Sequence, residues 1–335
     1  MESTPVAVSI VVLSYNGRTW LEQCLGAAVA QVGPDCELVV VDNGSTDGSV
    51  DFVRRSFPGA RIVALETNLG FAAGNNAGVR AARGRYIAFL NNDAKPQPGW
   101  LSALRRVLDS HPHVGLVASR ILFMHDRGVV DSAGDGLTRW GGAFKRSHGQ
   151  RAQDVLEPHE VFGACGAACL IRRDLFDEVG GFDETFFAVY EDVDLSYRVQ
   201  LLGYHCLYAP DAVVCHAGSA TLGRVSAHSI FWGQRNLEWM YFKDTPFTLL
   251  LLTFPGHVVY DLAAAAYFAR TGHLKTFLSA KWSALQGLPR VWRQRRIVQG
   301  TRRASVARIW SLMERRWVSV KIREKRFDRT LSRGS

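Results

Sequence analysis

Apolar runs of strand length alternate with stretches of helical spacing through the first ninety residues. Val6 to Leu13 reads as a buried strand that breaks at Ser14-Tyr-Asn-Gly17. Helical spacing follows from about Trp20 to Val29, with Leu21, Cys24, Leu25 and Ala28 on one face. Glu37 to Val41 predicts a second strand, and the polar loop Asp42 to Gly48 leads into a helix carrying Val50, Phe52 and Val53. Arg61 to Leu65 predicts a third strand, and Asn68 to Gly78 opens a third helix. Tyr86 to Leu90, flanked by Gly84 and by Pro96 and Pro98, reads as the central strand. Strands alternating with short helices predict an α/β fold, with a mostly parallel sheet covered by helices on both faces.

Farther along, Trp100 to Leu108 predicts a helix and Val114 to Ala118 a strand. Residues 124–160 hold no sustained periodicity and are expected to form a long loop or small excursion over the site. Ala167 to Ile171 is a strand, Asp192 to Leu202 a helix, and His205 to Tyr208 and Ala212 to Cys215 two further strands.

Candidate chemistry lies where strands end. Ser14–Asn16, Asp42, Asn68–Gly70 and Asn91–Asp93 follow four successive strands, the rim at which open α/β sheets bind ligands. The chain lacks both G-x-G-x-x-G after its first strand and the G-x-x-x-x-G-K-[ST] phosphate loop, which disfavours a dehydrogenase or a P-loop enzyme. Asn91-Asn92-Asp93 offers oxygen ligands for a hard divalent cation, or simply turns the chain. His216, at another strand end, is a structural histidine or a metal ligand. Asp194 stands four residues before Arg198 and predicts an ordinary helical ion pair. Asp192 has no such cation.

Charge changes the picture at the C-terminus. The chain of 335 residues carries +9, but residues 281–333 hold 16 Lys/Arg against 3 Asp/Glu, a net of +13. The preceding 280 hold 24 against 28, a net of −4. A basic tail on a slightly acidic body points to an anionic partner, membrane or nucleic acid. The six cysteines form no C-x-x-C pair and predict buried free thiols in a reducing compartment. The opening Met-Glu-Ser-Thr-Pro has no basic flank, and the apolar run after it is too short for an export signal, so the body is expected in the cytoplasm.

Taken together, Ser14-Tyr-Asn16, Val40 to Asp47, Asn68-x-Gly-Phe-Ala with Asn76-x-Gly78, Phe89 to Asp93, Gly180 to Asp183, Glu191-Asp-x-Asp-Leu195 with Arg198, and His216-x-Gly218 resemble the family 2 glycosyltransferases over roughly residues 6–245. The chain looks closest to bacterial rhamnosyltransferase-like members that build cell-envelope polysaccharide. The resemblance implies a nucleotide-diphospho-sugar transferase fold and an inverting transfer aided by a divalent metal, Mg²⁺ or Mn²⁺. It implies Asp42 at the nucleobase, Ser14, Asn16 and Asn68 in the nucleotide site, and Asp93 on the metal with His216 as a further ligand. Asp192 would be the general base. Asn91, counted with the donor site, stands where the family commonly has an acid, which lowers the charge of the site.

Phe247 to Ala269 is largely apolar and as a helix would extend about 35 Å, but Pro255, His257 and Asp261 interrupt it. An interfacial segment, a membrane span and a soluble core or dimer helix all remain open. Val306, Ile309, Met313, Trp317, Val320, Phe327 and Leu331 continue at three-to-four spacing among arginines and lysines, a pattern suited to anionic membranes or to a solvated helix. The expected division is therefore a catalytic region at 1–245 and a membrane-associating helical region at 246–335. The expected partners are a nucleotide-diphospho-sugar donor, a glycan or lipid-linked acceptor and an anionic membrane at its cytoplasmic face, with no nucleic acid. A sugar-nucleotide nucleotidyltransferase and a nucleic-acid-binding protein using the basic tail are the competing readings.

Overall fold

The computed structural model describes residues 6–218 and 226–320, together with 322 and 327. Its first half follows the predicted alternation: β1 (Val8–Ser14), α1 (Arg18–Val29), β2 (Cys36–Asp42), α2 (Ser49–Ser56), β3 (Arg61–Ala64), α3 (Gly70–Ala81) and β4 (Tyr86–Asn91). The strands pair in parallel in the order β4-β1-β2-β3, with Leu13 beside Asn91 and Ser14 beside Asp42, so the polar residues that end them share one rim. Successive side chains of a strand point to opposite faces. Thus Val8, Ile10 and Val12 pack with α1, while Val11 meets α3 on the other face. On α1 the buried residues are Leu21, Cys24, Leu25 and Ala28, the predicted face. Helix α3 approaches the sheet closely at Gly78, where a Cβ would lie 2.5 Å from Val11.

Then come β5 (Ala94–Pro96), α4 (Trp100–Ser110), β6 (Val114–Phe123), β7 (Val130–Ser132), β8 (Asp135–Leu137), β9 (Ala143–Lys145), β10 (His159–Val161), β11 (Ala168–Arg172), α5 (Arg173–Glu178), α6 (Glu191–Leu201) and β12 (His205–His216). Strand β11 inserts antiparallel between β4 and β6, and β6 and β12 run parallel beyond it. The stretch 124–160 is an excursion containing the β8–β9 hairpin, whose three-residue strands are too short to show a period. The two strands expected at 205–215 are one. β12 is continuous across a register shift between Ala209 and Val213, where Pro210 interrupts the apolar pattern.

Helices α7 (Ala227–Asp244), α8 (Phe247–Arg270), α9 (Leu274–Gly300) and α10 (Val306–Leu312) follow, and residues 317–320 are helical as well. Leu331 of the expected tail pattern lies outside the described residues. The third core cluster runs across residue 245. It joins Leu137, Phe162, Phe186 and Tyr197 to Trp239, Met240, Leu249, Ala284, Val291, Ile309 and Met313. A tail strand segment also returns to the excursion, with Glu314 N donating to Leu137 O and Arg139 N to Glu314 O.

Candidate active site

The ends of β1, β2 and β4 open on a cavity of about 200 Å³ lined by Leu13, Asn43, Asn68, Asn91, Asn92 and Asp93. His216 from β12 and the 187–188 turn before α6 close its other side. Of the residues expected from sequence, Asn68, Asn91, Asp93 and His216 therefore meet in one space. Ser14, Asn16, Asp42 and Asp192 are not among its lining residues.

Asp93 and His216 are both buried, and Asp93 Oδ1 lies 3.2 Å from His216 Nε2. The other ring nitrogen, Nδ1, is 3.0 Å from Asp131 Oδ2. Asp131 also receives Lys145 Nζ at 2.7 Å, and its main-chain oxygen is 2.7 Å from His148 Nδ1. Burial opposes charge on His216, but the two flanking carboxylates outweigh it and raise its pKa to about 9. Burial is likewise overcome at Asp131, where Lys145, His148 and His216 hold the carboxyl well below its usual range. Apart from its ion pair with Asp93, the buried His216 Nε2 has no hydrogen-bond partner. A ring nitrogen so placed beside a carboxylate, with the opposite nitrogen fixed by a second carboxylate, is the pattern of a metal-binding histidine and its orienting partner. Asp93 and His216 thus fit a divalent cation. Asp131 sits in the aperiodic stretch after β6, where sequence spacing carries no signal for it.

The residues expected at the donor build the rim. Asn68 Oδ1 accepts from Asn43 Nδ2 at 2.9 Å and from Gly70 N at 2.9 Å, while Asn43 Oδ1 accepts from Leu69 N at 2.9 Å. Asn43 is thus the buried brace of the α3 entry, a role sequence reading missed although it adjoins Asp42. Asp42 Oδ2 accepts from Ser45 N at 3.0 Å, but its buried Oδ1 has no hydrogen-bond partner and can take a donor group from a ligand. Ser14 Oγ accepts from Asn92 Nδ2 at 3.2 Å, tying β1 to the end of β4. Asn16 is exposed, and its Oδ1 accepts from Thr46 N at 2.9 Å, which fixes the loop between β2 and α2.

Asp192 stands at the start of α6, beside the cavity wall. A Cβ on Gly166 would lie 3.0 Å from the ring of Phe71, which lines the cavity, and 3.4 Å from Asp192. Its carboxylate accepts from Gly166 N at 2.9 Å and Val193 N at 2.8 Å, and burial nevertheless raises its pKa. Raised basicity suits a proton acceptor. Glu191 is pushed up more strongly by burial and by the charge of Asp192. Asp194 is the structural acid expected: fully buried, it meets Arg198 Nη2 at 2.6 Å and Lys243 Nζ at 2.5 Å. Lys243 also binds Asp183 at 2.6 Å.

Among the described residues, two groups gather three ligand atoms within 4.8 Å: Asp135, Cys165 and Asp192, and Glu238, His257 and Asp261. Lys281 already bridges Glu238 and Asp261 in the second, which makes it an ion-pair cluster. In the first, burial and Asp135 hold the Cys165 thiol well above its usual pKa.

The sequence profile of Glycosyl transferase family 2 matches residues 9–180, just over half of the chain. The chain is 29% identical over 263 residues to the N-acetylglucosaminyl-diphospho-decaprenol L-rhamnosyltransferase of Mycobacterium tuberculosis, covering 69% of this chain and 85% of that one. It is 33% identical over 199 residues to the Pre-mycofactocin glycosyltransferase of Mycobacterium tuberculosis, covering 58% and 40%. Of an uncharacterized Sinorhizobium fredii protein, 31% identical, the match spans only 26% of the length. In fold it is similar to the mannosyltransferase PcManGT of Pyrobaculum calidifontis in complex with GDP-Man and Mn²⁺. That likeness has a TM-score of 0.53 and 22% identity, over 92% of this chain and 90% of that one. GalNAc-T7 with UDP, GalNAc and Mn²⁺ has a TM-score of 0.59 at 15% identity, over 72% and 48%. The chain belongs to glycosyl transferase family 2 and is a glycosyltransferase with the α/β fold of nucleotide-sugar transferases.

Proposed function

We propose that this enzyme is an inverting transferase that moves a sugar, rhamnose being the leading choice, from a nucleotide-diphospho-sugar to a hydroxyl of a lipid-linked or other glycan acceptor in cell-envelope polysaccharide synthesis. The observation that carries the reading is the meeting of Asp93 and His216, braced by Asp131, at the end of the central strand; Asp192 stands outside that cavity, across Gly166 from its Phe71 wall. Asp42, with a free buried oxygen, is the partner for a nucleobase N–H, while Ser14 and Asn16 fix the loops around it and Asn68 and Asn91 line the diphosphate side. A divalent cation held by Asp93 and His216, Mg²⁺ or Mn²⁺, would supply positive charge to the departing diphosphate. Asp192 takes the proton of the acceptor hydroxyl as that oxygen attacks the sugar carbon from the side opposite the leaving group, which inverts the carbon.

The C-terminal helices support a site of action at the cytoplasmic membrane face. Among the described residues one helix, α8, is long and apolar enough to cross a membrane, and only 22% of its apolar window is buried. Its polar residues turn inward: Thr253 Oγ1 is 2.8 Å from Tyr241 Oη, His257 Nδ1 is 2.8 Å from Trp140 O, and Asp261 accepts from Lys281. Leu251, Leu252, Phe254, Val258, Val259 and Leu262 face outward. On α9, Leu274, Leu278, Trp282 and Leu285 form an exposed stripe at three-to-four spacing, with Trp292 exposed two turns on beside the exposed Arg293 and Arg296. An outward apolar face with inward bonds suits a hairpin lying in the interface of an anionic bilayer better than a span, which would strip those polar groups of their partners. In this reading residues 1–245 carry the chemistry and 246–335 the membrane surface, on a shared core.

A donor panel tests the proposal. Release of nucleoside diphosphate from one class of sugar nucleotide, stimulated by Mn²⁺ or Mg²⁺ and abolished by chelation, is the expected result. No turnover of any sugar nucleotide in either metal by the folded protein would overturn it.

A further inference from the structure

The turn that leads into α6 holds backbone conformations that side chains other than glycine rarely adopt. Phe187 has φ 64°, Val189 φ 69° and Tyr190 φ 76°. For a β-branched residue such as Val189 this region is a steric outlier, and it persists only where surrounding bonds over-determine it. Each carbonyl of the turn is accounted for. Phe187 O accepts from the N–H groups of Phe71 at 2.6 Å and Ala72 at 3.2 Å, the first turn of α3. Tyr190 O accepts from Asp194 N at 2.9 Å as α6 begins. The others are taken by one side chain on α7. Asn236 is fully buried, and the two hydrogens of its Nδ2 are shared among Phe186 O at 2.9 Å, Ala188 O at 2.9 Å and Val189 O at 2.7 Å. Its Oδ1 accepts from Arg235 Nε at 3.0 Å, and Arg235 Nη2 donates to Phe186 O at 3.1 Å. The turn joins two functional parts. Phe187 and Ala188 line the cavity, and Asp192 follows two residues after Tyr190.

We infer that Asn236 is a positioning residue for catalysis: its amide holds the strained 187–190 turn and so sets Asp192 and the Phe187 wall against the acceptor. The inference rests on the reading of Asp192 as the base. Asn236 itself touches none of Asp42, Asn68, Asn91, Asp93 or His216, and it reaches the cavity only through the Phe187–Ala188 wall, so its loss acts on transfer more than on nucleotide affinity. Displacement of a reacting group by about 1 Å costs about 10²-fold in rate.

Four proteins decide it: Asn236→Ala, Val189→Gly, the double variant and Asp192→Asn. Calorimetry with UDP, GDP and dTDP in Mn²⁺ measures nucleotide affinity. Turnover of whichever sugar nucleotide the wild type uses gives kcat and KM. Asn236→Ala is expected to lower kcat about 10²-fold while nucleotide affinity stays within about threefold. Amide exchange should rise at 187–190 and at Phe71 and Ala72, whose acceptor the turn supplies, with the remaining amides unchanged. Glycine at 189 takes positive φ without strain, so Val189→Gly in the Asn236→Ala background should recover about tenfold of the lost kcat. Unchanged kcat in folded Asn236→Ala overturns the inference, as does unchanged exchange at the turn, or a loss that Val189→Gly leaves untouched. Where Asn236→Ala does not fold, Asn236→Ser, which keeps one donor, should show the same pattern at smaller size, and full kcat in it refutes the clamp. If Asp192→Asn transfers at the wild-type rate, the base reading fails by itself. The exchange data and the kcat-against-affinity split still decide the role of Asn236.

Discussion

Helix α8 is held by one buried ionic cluster. Glu238 on α7 receives His257 Nε2 at 3.0 Å and the ammonium of Lys281, which reaches Asp261 at 2.7 Å. Burial alone would raise the Glu238 pKa, but the His257 hydrogen bond and the Lys281 charge lower it from 4.5 to about 2. At 1.36 kcal/mol for each pKa unit, that fall corresponds to at most about 3 kcal/mol of folding stability, since burial and the Glu238 charge push Asp261 the other way. Because the folded pKa is depressed, this contribution is fully present above pH 4.5 and is lost as pH falls toward 2. Lys281→Met leaves two carboxylates facing each other with one histidine between them. Breaking a buried pair from one side costs about 3–5 kcal/mol, and the partial exposure of Asp261 favours the lower end. Urea melts at pH 7 should therefore show Lys281→Met less stable by about 3 kcal/mol with unchanged m value. The deficit should shrink as pH drops below 4.5, where the wild type loses the same interaction. Glu238→Gln/Lys281→Met should lose less than the sum of its singles. A deficit under about 1 kcal/mol at pH 7, or one that does not shrink in acid, would refute the argument.

Asp93→Ala should abolish metal stimulation of donor turnover, and Asp131→Ala should weaken metal affinity by about 10- to 100-fold, both read by Mn²⁺ titration of nucleoside diphosphate release. Asp192→Asn should cut transfer by about 10²- to 10⁴-fold with donor affinity retained, whereas Asp194→Asn should instead lower the urea midpoint, since Asp194 serves Arg198 and Lys243. In flotation with vesicles, Leu252→Glu/Leu262→Glu/Trp282→Glu should abolish lipid association at any salt. Arg293→Glu/Arg296→Glu should mainly remove the preference for anionic lipid at low salt, at about 1 kcal/mol per charge. Wild-type protein that stays unbound with every vesicle would refute the membrane reading.

What the sequence made legible is what repeats. The period of β1, α1, β2 and α3 follows from burial on a two-sided sheet, and the polar residues ending those strands converge because parallel neighbours end together. The rim carried Asn68, Asn91 and Asp93 into one cavity with His216 for that reason. Asp131 was hidden because it acts through a three-residue strand in an aperiodic excursion. Asn43 was hidden because its bonds run to Asn68 and Leu69, far along the chain. Helix α7 went unread because aromatic and polar residues share its faces: its inward side is chosen by partners, Asn236 for the turn and Glu238 for α8, not by an apolar stripe. The interruptions at His257 and Asp261, ambiguous in one dimension, have a plain cause in three, since both face α7 and α9.

Helix α7 is therefore the element through which the C-terminal region bears on chemistry. Within eight residues it places Asn236 on the strained turn, Glu238 on the α8 cluster, Trp239 on α9 with its Nε1 donating to Ala284 O at 3.1 Å, and Lys243 on Asp183 and Asp194. The turn precedes Asp192, and Asp194 belongs to the same helix as Asp192. A force that shifts α8 and α9, as seating of their apolar face in a bilayer would, reaches α7 through Glu238 and Trp239 and arrives at Asn236 two residues from the first. The same helix thus bears both the anchor of the α8–α9 pair and the clamp of the turn before Asp192, the proposed base. Loss of the Lys281 cluster should for that reason lower kcat as well as stability, and it should do so without changing nucleotide affinity.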